Sequence, residues 1–141
     1  MEPDVNTQPP VGFPRFQKRA EILARNRHRL KEALDRARSK LYRHRHTLGD
    51  LRHDLPILIR MTRAWARRDY RNVPWRTVTL AVGGILYFLS PIDAVPDAIP
   101  VIGFLDDAAV IAYVLKCIKD DIDRFKEWED SRRAAIVNGQ I

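Results

Sequence analysis

The sequence predicts an all-α protein centred on a hairpin of two short apolar helices, which a Pro- and Asp-rich turn joins and basic amphipathic helices precede. Three observations lead to this fold class. Apolar residues recur at helical spacing, no stretch alternates in the manner of a strand, and the prolines between positions 91 and 100 separate two apolar runs. The 141 residues fit one domain with a core of ordinary size.

The N-terminal part of the chain is strongly basic. Residues 1–15 are polar, which predicts a disordered tail, and residues 16–46 contain no Gly or Pro, which predicts one long basic helix. Four leucines on this helix are spaced by four or seven residues, as in a narrow coiled-coil seam. The seam predicts self-association, or a helical protein partner, through Leu23, Leu30, Leu34 and Leu41.

A second basic helix is predicted from about Leu51 to Asp69. It opens a helical domain over residues 47–130, which leaves residues 131–141 as a C-terminal tail. Apolar residues lie along one side of this helix and arginines supply the rest, a pattern typical of a helix on a membrane surface. We expect the following residues to face anionic lipid: Arg52, Arg60, Arg63, Arg67 and Arg68.

The two apolar helices of the hairpin are short. The run from Thr77 to Leu89 carries no charge and spans about 20 Å at 1.5 Å per residue, less than the roughly 30 Å of a bilayer core. The run from Leu105 to Ile118 is also too short to span comfortably. Two alternatives stay open, a re-entrant hairpin in a membrane and a core hairpin of a soluble protein. Gly83 and Gly84 predict close helix packing in either case.

Four carboxylates crowd the predicted turn, at Asp93, Asp97, Asp106 and Asp107. In one interpretation they only stabilise helix starts, because Ser90 and Pro91 precede Asp93 as in a helix cap, and the last two acids oppose the positive end of the next helix. In the other interpretation, their oxygens bind a divalent cation such as Mg²⁺ or Ca²⁺, or a proton. We place the chemistry or recognition of the protein between Tyr87 and Asp107.

The stretch from Leu86 to Ala108 closely resembles the signature of the YkvA-like family of small bacterial proteins, a domain of unknown function. The signature positions are Tyr87, Pro91, Asp93, Pro96, Asp97, Gly103, Asp106 and Asp107. The resemblance covers roughly residues 51–129 and leaves the basic N-terminal helix outside. It implies a membrane-associated protein without an established activity.

A formal net charge of +7 favours an anionic partner. We favour a non-enzymatic protein of the bacterial inner membrane with a cytoplasmic N-terminus, its apolar hairpin in or on the cytoplasmic leaflet and its arginine-rich helices on anionic lipid. One alternative is a soluble basic module that binds the nucleic acid backbone. Another is an enzyme that uses a divalent cation held by the aspartates. The sequence nominates no nucleophile or other catalytic residue.

Overall fold

A computed structural model of the chain describes residues 13–46, 48–49, 51–89 and 110–139. These residues contain six helices and no strand, so the predicted all-α class is confirmed. The turn predicted between the two apolar helices lies outside the described residues. The helices are α1 (Phe13–Ala24), α2 (Arg27–Arg43), α3 (Leu51–Ala66), α4 (Trp75–Leu89), α5 (110–117) and α6 (Lys119–Val137).

The basic N-terminal segment forms two helices, so the prediction of a single helix over residues 16–46 is wrong. Helix α1 begins within the predicted tail and ends at Ala24. Asn26 then adopts an extended conformation (φ −113°, ψ 97°), and its Oδ1 accepts a hydrogen bond from the backbone N–H of Arg29 at 3.2 Å. The break falls here because asparagine satisfies the free N–H groups of a helix start better than it fits a helix interior.

Helix α4 lies at the centre of the core. All its residues from Thr77 to Ile85 are buried, and so is Phe88. It packs against α1, α2 and α3, and buried residues of all six helices join it in one apolar cluster. A helix that is apolar on every side is stable in water only when other elements cover it. Helix α4 is therefore covered by protein from Thr77 to Ile85.

The leucine seam of α1 and α2 faces this same core. Leu30 and Leu34 are fully buried, and Leu23 and Leu41 pack against the cluster while partly exposed. Burial within one chain accounts for the leucine spacing. Self-association or a helical partner through these four leucines stays a prediction.

The chain after residue 109 returns along α4 in the opposite direction. Gly84 lies against α5, where a Cβ atom on the glycine would be 3.3 Å from Ile111 Cδ1 and 3.3 Å from Val114 Cγ2. Near the start of α4, the Thr77 hydroxyl donates a hydrogen bond to Asp121 Oδ2 of α6. Later residues of α4 thus meet earlier residues of the returning chain. The predicted close packing is confirmed at Gly84.

An aromatic cluster holds α6 against the connection between α3 and α4. The Tyr70 ring centroid lies 5.3 Å from that of Phe125 and 5.0 Å from that of Trp128. Burial raises the pKa of the Tyr70 phenol above its usual value, so this side chain stays neutral in the cluster. Helix α6 continues to Val137, beyond residue 131 where we expected a C-terminal tail.

Candidate functional site

The predicted motif lies mostly outside the described residues. Tyr87, near the end of α4, is half-buried and packs against the core. The structure does not describe the other seven positions, which are Pro91, Asp93, Pro96, Asp97, Gly103, Asp106 and Asp107. A divalent cation on the four aspartates therefore stays a prediction. Over the described ranges, His, Cys, Asp and Glu form no group of three or more that could hold a metal ion.

A buried lysine marks the end of α4 from which the motif continues. Lys40 reaches from α2 with only 4% of its surface exposed. Its Nζ donates a hydrogen bond to the carbonyl oxygen of Phe88 and lies 4.4 Å from the centroid of the Phe88 ring. The last carbonyl groups of a helix carry partial negative charge and have no partner within the helix. Lys40 thus stabilises the C-terminal end of α4 and links it to α2.

Lys40 was not singled out from the sequence, although the sequence carries a signal for its burial. Ala33 and Ala37 are buried on α2, and Lys40 lies seven residues after the first and three after the second. Residues at these spacings share one face of a helix. The ammonium group of a lysine on such a face lies close to the neighbouring helices of the core. Burying it is costly unless a polar group accepts a hydrogen bond from it.

A wide basic groove of about 1880 Å³ runs between α2 and α3, beside Lys40. Asp35 is its one acidic lining residue in the described part of the chain. Such an excess of positive charge attracts anions, and guanidinium groups suit phosphate in particular. Besides Lys40, the groove is lined by Arg36, Arg38, Arg43, Arg45, Arg52, Arg60 and Arg63.

Two of the five arginines that we expected to face lipid form ion pairs with neighbouring helices. Arg60 makes a two-pronged contact with Glu129 of α6, with Nε 2.9 Å from Oε2 and a terminal nitrogen 3.2 Å from Oε1. Arg63 donates to Asp35 Oδ1 of α2 at 2.9 Å, and only 20% of its side chain is exposed. These two arginines hold helices together, so less of their charge is available to an external anion.

The other three arginines, Arg52, Arg67 and Arg68, are exposed. The last of them has a positive φ of 65° and closes α3. The N–H of Arg68 donates to the carbonyl of Trp65, and the N–H of Asp69 to that of Ala64, each at 3.0 Å. This pattern is a Schellman motif, in which glycine is the usual residue at the left-handed position. A side chain there destabilises the fold by about 1 kcal/mol.

We expect Arg68→Gly to raise the free energy of unfolding by about 1 kcal/mol, because glycine adopts the left-handed conformation without strain. Urea denaturation followed by circular dichroism measures the change. The control is Arg67→Gly at the neighbouring position, which has no positive φ and where glycine should lower stability by about 0.5–1 kcal/mol. Equal stability of the Arg68→Gly variant and the parent would show that this position carries no strain.

None of the helices in the described part of the chain combines the length and the apolar character needed to cross a membrane. Helix α4, with its uncharged run, has 15 residues. A bilayer core requires about 20 apolar residues in a helix. The prediction that this run is too short to span is confirmed.

Comparison with known proteins places the chain among relatives. A family model described as "Protein of unknown function (DUF1232)" matches residues 77–113, which include almost all of α4 and the motif. The chain is 36% identical over 74 residues to the uncharacterized membrane protein YkvA of Bacillus subtilis (strain 168), covering 52% of this chain and 70% of the relative. No solved structure matches the chain. The resemblance found in the sequence is confirmed, and the protein belongs to the YkvA-like family that contains the DUF1232 segment.

Proposed function

We propose that this protein is a non-enzymatic protein of the membrane surface that binds anionic lipid through the exposed arginines of α1, α2 and α3. The supporting observation is the charge of these helices. Helix α2 carries seven Lys and Arg residues, of which six are exposed and Lys40 is buried, against two acids, Glu32 and Asp35. Each Lys or Arg close to an anionic leaflet contributes about 1 kcal/mol to binding. The basic residues of α2 are Arg27, Arg29, Lys31, Arg36, Arg38, Lys40 and Arg43.

The burial of α4 favours a position on the bilayer over one inside it. Its apolar residues contact α1, α2, α3 and α5, and transferring them to lipid would require these contacts to open. The hairpin thus contributes a folded core, while the basic helices supply the attraction to the headgroups. The Bacillus subtilis relative is named a membrane protein, which supports membrane association. We place the protein on the cytoplasmic leaflet of the bacterial inner membrane, which is the anionic surface met from the cytoplasm.

The test is co-sedimentation of the full chain with vesicles of phosphatidylcholine, with and without phosphatidylglycerol. We expect binding only when phosphatidylglycerol is present, and progressive release as NaCl rises from about 0.1 M to about 1 M, because salt screens exposed charges. Replacing the exposed residues Arg25, Arg67 and Arg68 together with glutamine should weaken binding on the order of 100-fold, at about 1 kcal/mol for each charge.

A matched control shows whether the affinity for vesicles depends on the location of the charges or only on the net charge of the protein. Lys119, Lys126 and Arg133 of α6 are also exposed, and α6 mixes acids with bases. Their replacement with glutamine removes the same net charge, and it should change the affinity only a few-fold. Equal loss in both triple variants would contradict a lipid-binding surface on α1–α3.

The same vesicles test the alternative function, in which the protein binds the nucleic acid backbone. Double-stranded DNA is added as a competitor at constant salt, since both ligands are polyanions and respond to salt alike. We expect the protein to stay on phosphatidylglycerol vesicles at equal concentrations of lipid phosphate and DNA phosphate. Transfer of the protein to DNA, or equal binding to neutral vesicles, would overturn the proposal.

A further inference from the structure

One end of the helical bundle brings tryptophan and arginine side chains together. Arg25 follows α1, and its Cζ lies 5.4 Å from the ring centroid of Trp75, the first residue of α4. Trp65, in the last turn of α3, has its ring centroid 6.0 Å from that of Trp75. Arg67 and Arg68 follow directly. We call this surface the tryptophan–arginine end and define it by Ile22, Arg25, Trp65, Arg67, Arg68 and Trp75.

Large apolar side chains are exposed on this surface. Trp75 is 40% exposed, and Ile22, one helical turn before Arg25 on α1, is 72% exposed. An isoleucine that is 72% exposed contributes little to the apolar core. Tryptophan with arginine is the combination that membrane–water interfaces favour, because the ring and the guanidinium each join an apolar part to a polar one. The composition of this end fits the headgroup region of a bilayer.

The charge of the tryptophan–arginine end is also complementary to anionic headgroups. Arg25, Arg67 and Arg68 are exposed. The neighbouring acid Asp69 lies 3.7 Å from Arg132 of α6, so part of its charge is already compensated. Asp121 is similarly engaged, since it accepts hydrogen bonds from Thr77 and Arg124. Even with Glu21, the exposed acid beside Ile22, the three arginines leave this end with more positive than negative charge.

The backbone conformation of Arg68 also indicates a role for this surface in binding. Its left-handed conformation (φ 65°) is one that glycine adopts more easily. Strained residues cluster at functional sites, and here the end of α3 requires the left-handed conformation but not an arginine side chain. An arginine here supplies a positive charge three residues after Trp65, which a glycine would not.

We infer that the tryptophan–arginine end is the surface that meets the membrane, with Trp75 and Ile22 at the level of the headgroups and Arg25, Arg67 and Arg68 on lipid phosphates. This inference rests on the proposed function and specifies its orientation. The bundle then stands on the bilayer with the α1–α2 and α3–α4 connections against it. Interfacial side chains of this kind enter to a depth of about 5–10 Å.

The depth of the tryptophans can be measured directly with phosphatidylglycerol vesicles that contain phosphatidylcholine brominated near the headgroup end of its acyl chains, which quenches tryptophan at the membrane–water interface. We expect the fluorescence of the full chain to be quenched on binding. Trp75→Phe should remove most of this quenching, whereas Trp128→Phe should retain it, because Trp128 stacks on Phe125 in the aromatic cluster of α6. Thermal unfolding of both variants checks that the fold is kept.

A second pair of variants tests the apolar contact without fluorescence. Ile22→Ser should lower the affinity for phosphatidylglycerol vesicles about 10-fold, because one apolar side chain no longer leaves water. The matched control is Ile136→Ser, since Ile136 is also exposed (55%) but belongs to the last turn of α6. It should bind as the parent does. Arg68→Gly should bind about fivefold more weakly although its fold is more stable.

The outcomes separate the inference from the proposed function. Binding to phosphatidylglycerol vesicles without quenching of Trp75 would overturn the inference and leave the proposed function standing. Absence of vesicle binding would overturn both. Sedimentation equilibrium without lipid gives the last outcome, since a dimer that Ile22→Ser dissociates would mean that a second copy, and not a bilayer, covers this end.

Discussion

Lys40→Ala is expected to lower the free energy of unfolding by about 3 kcal/mol. The substitution removes a buried donor to the Phe88 carbonyl and a cation–π contact with the Phe88 ring, and a carbonyl left without a partner costs about 1–3 kcal/mol. It also removes the methylene chain that fills the space between α2 and α4. Lys40→Met keeps most of this packing and loses only the ammonium, so about half of the effect should remain. Urea denaturation measures both variants.

The control for Lys40 lies on the same helix. Lys31 is exposed, and Lys31→Ala should change stability by less than about 0.5 kcal/mol, as surface substitutions do. If Lys40→Met were as stable as the parent, the desolvation of the ammonium would fully offset its hydrogen bond and ring contact. The link between α2 and the end of α4 would then be a matter of packing alone.

Gly84→Leu should destabilise the fold by about 3 kcal/mol. Because even a Cβ atom at this position would lie 3.3 Å from both Ile111 and Val114, a leucine must push α5 away from α4, and overpacking of a dense core typically costs about 1–3 kcal/mol or more. The expected result is a lower midpoint of thermal and urea unfolding. Some loss of the folded protein during expression is expected as well.

Gly84→Ala is the conservative member of this series. Its methyl group requires a shift of only a few tenths of an ångström from the neighbouring side chains, while alanine gains about 0.5–1 kcal/mol in helix propensity over glycine. The two effects oppose each other, so a change within about 1 kcal/mol of the parent is expected. A leucine variant as stable as the alanine variant would contradict the close approach of α4 and α5.

Local patterns in the sequence were enough to predict α4. An uncharged run that starts after Arg76 and contains Gly84 requires burial on every side, whatever covers it. The identity of the cover could not be predicted, because a basic segment outside the resemblance gives no local sign that α1 packs on α4. The arginine pattern of α3 was equally visible. The sequence did not show which of these arginines pair with acids, since partners such as Arg60 and Glu129 are 69 positions apart.

Two other features of the fold, the end of α1 and the burial of a lysine, depend on single residues. Their effect was overlooked in the sequence or arises only from tertiary contacts. Asn26 ends α1 within a segment of otherwise good helix formers, and one cap residue outweighs propensity summed over its neighbours. Lys40 is buried only because the end of α4 offers it an acceptor. The candidate carboxylates, Asp93, Asp97, Asp106 and Asp107, lie outside the described residues, so the cation or capping role predicted for them stays a prediction.

The packing of α1 against α4 has a consequence for where the boundaries of the folding unit lie. The family model begins at residue 77 and ends at residue 113, so it includes almost all of α4 but neither α1 nor α2. Those two helices cover a large part of α4 in this chain. A fragment restricted to the family-matched residues would present that surface to water and require another apolar surface to cover it. The segment by which the family is recognised is smaller than the set of helices that buries it.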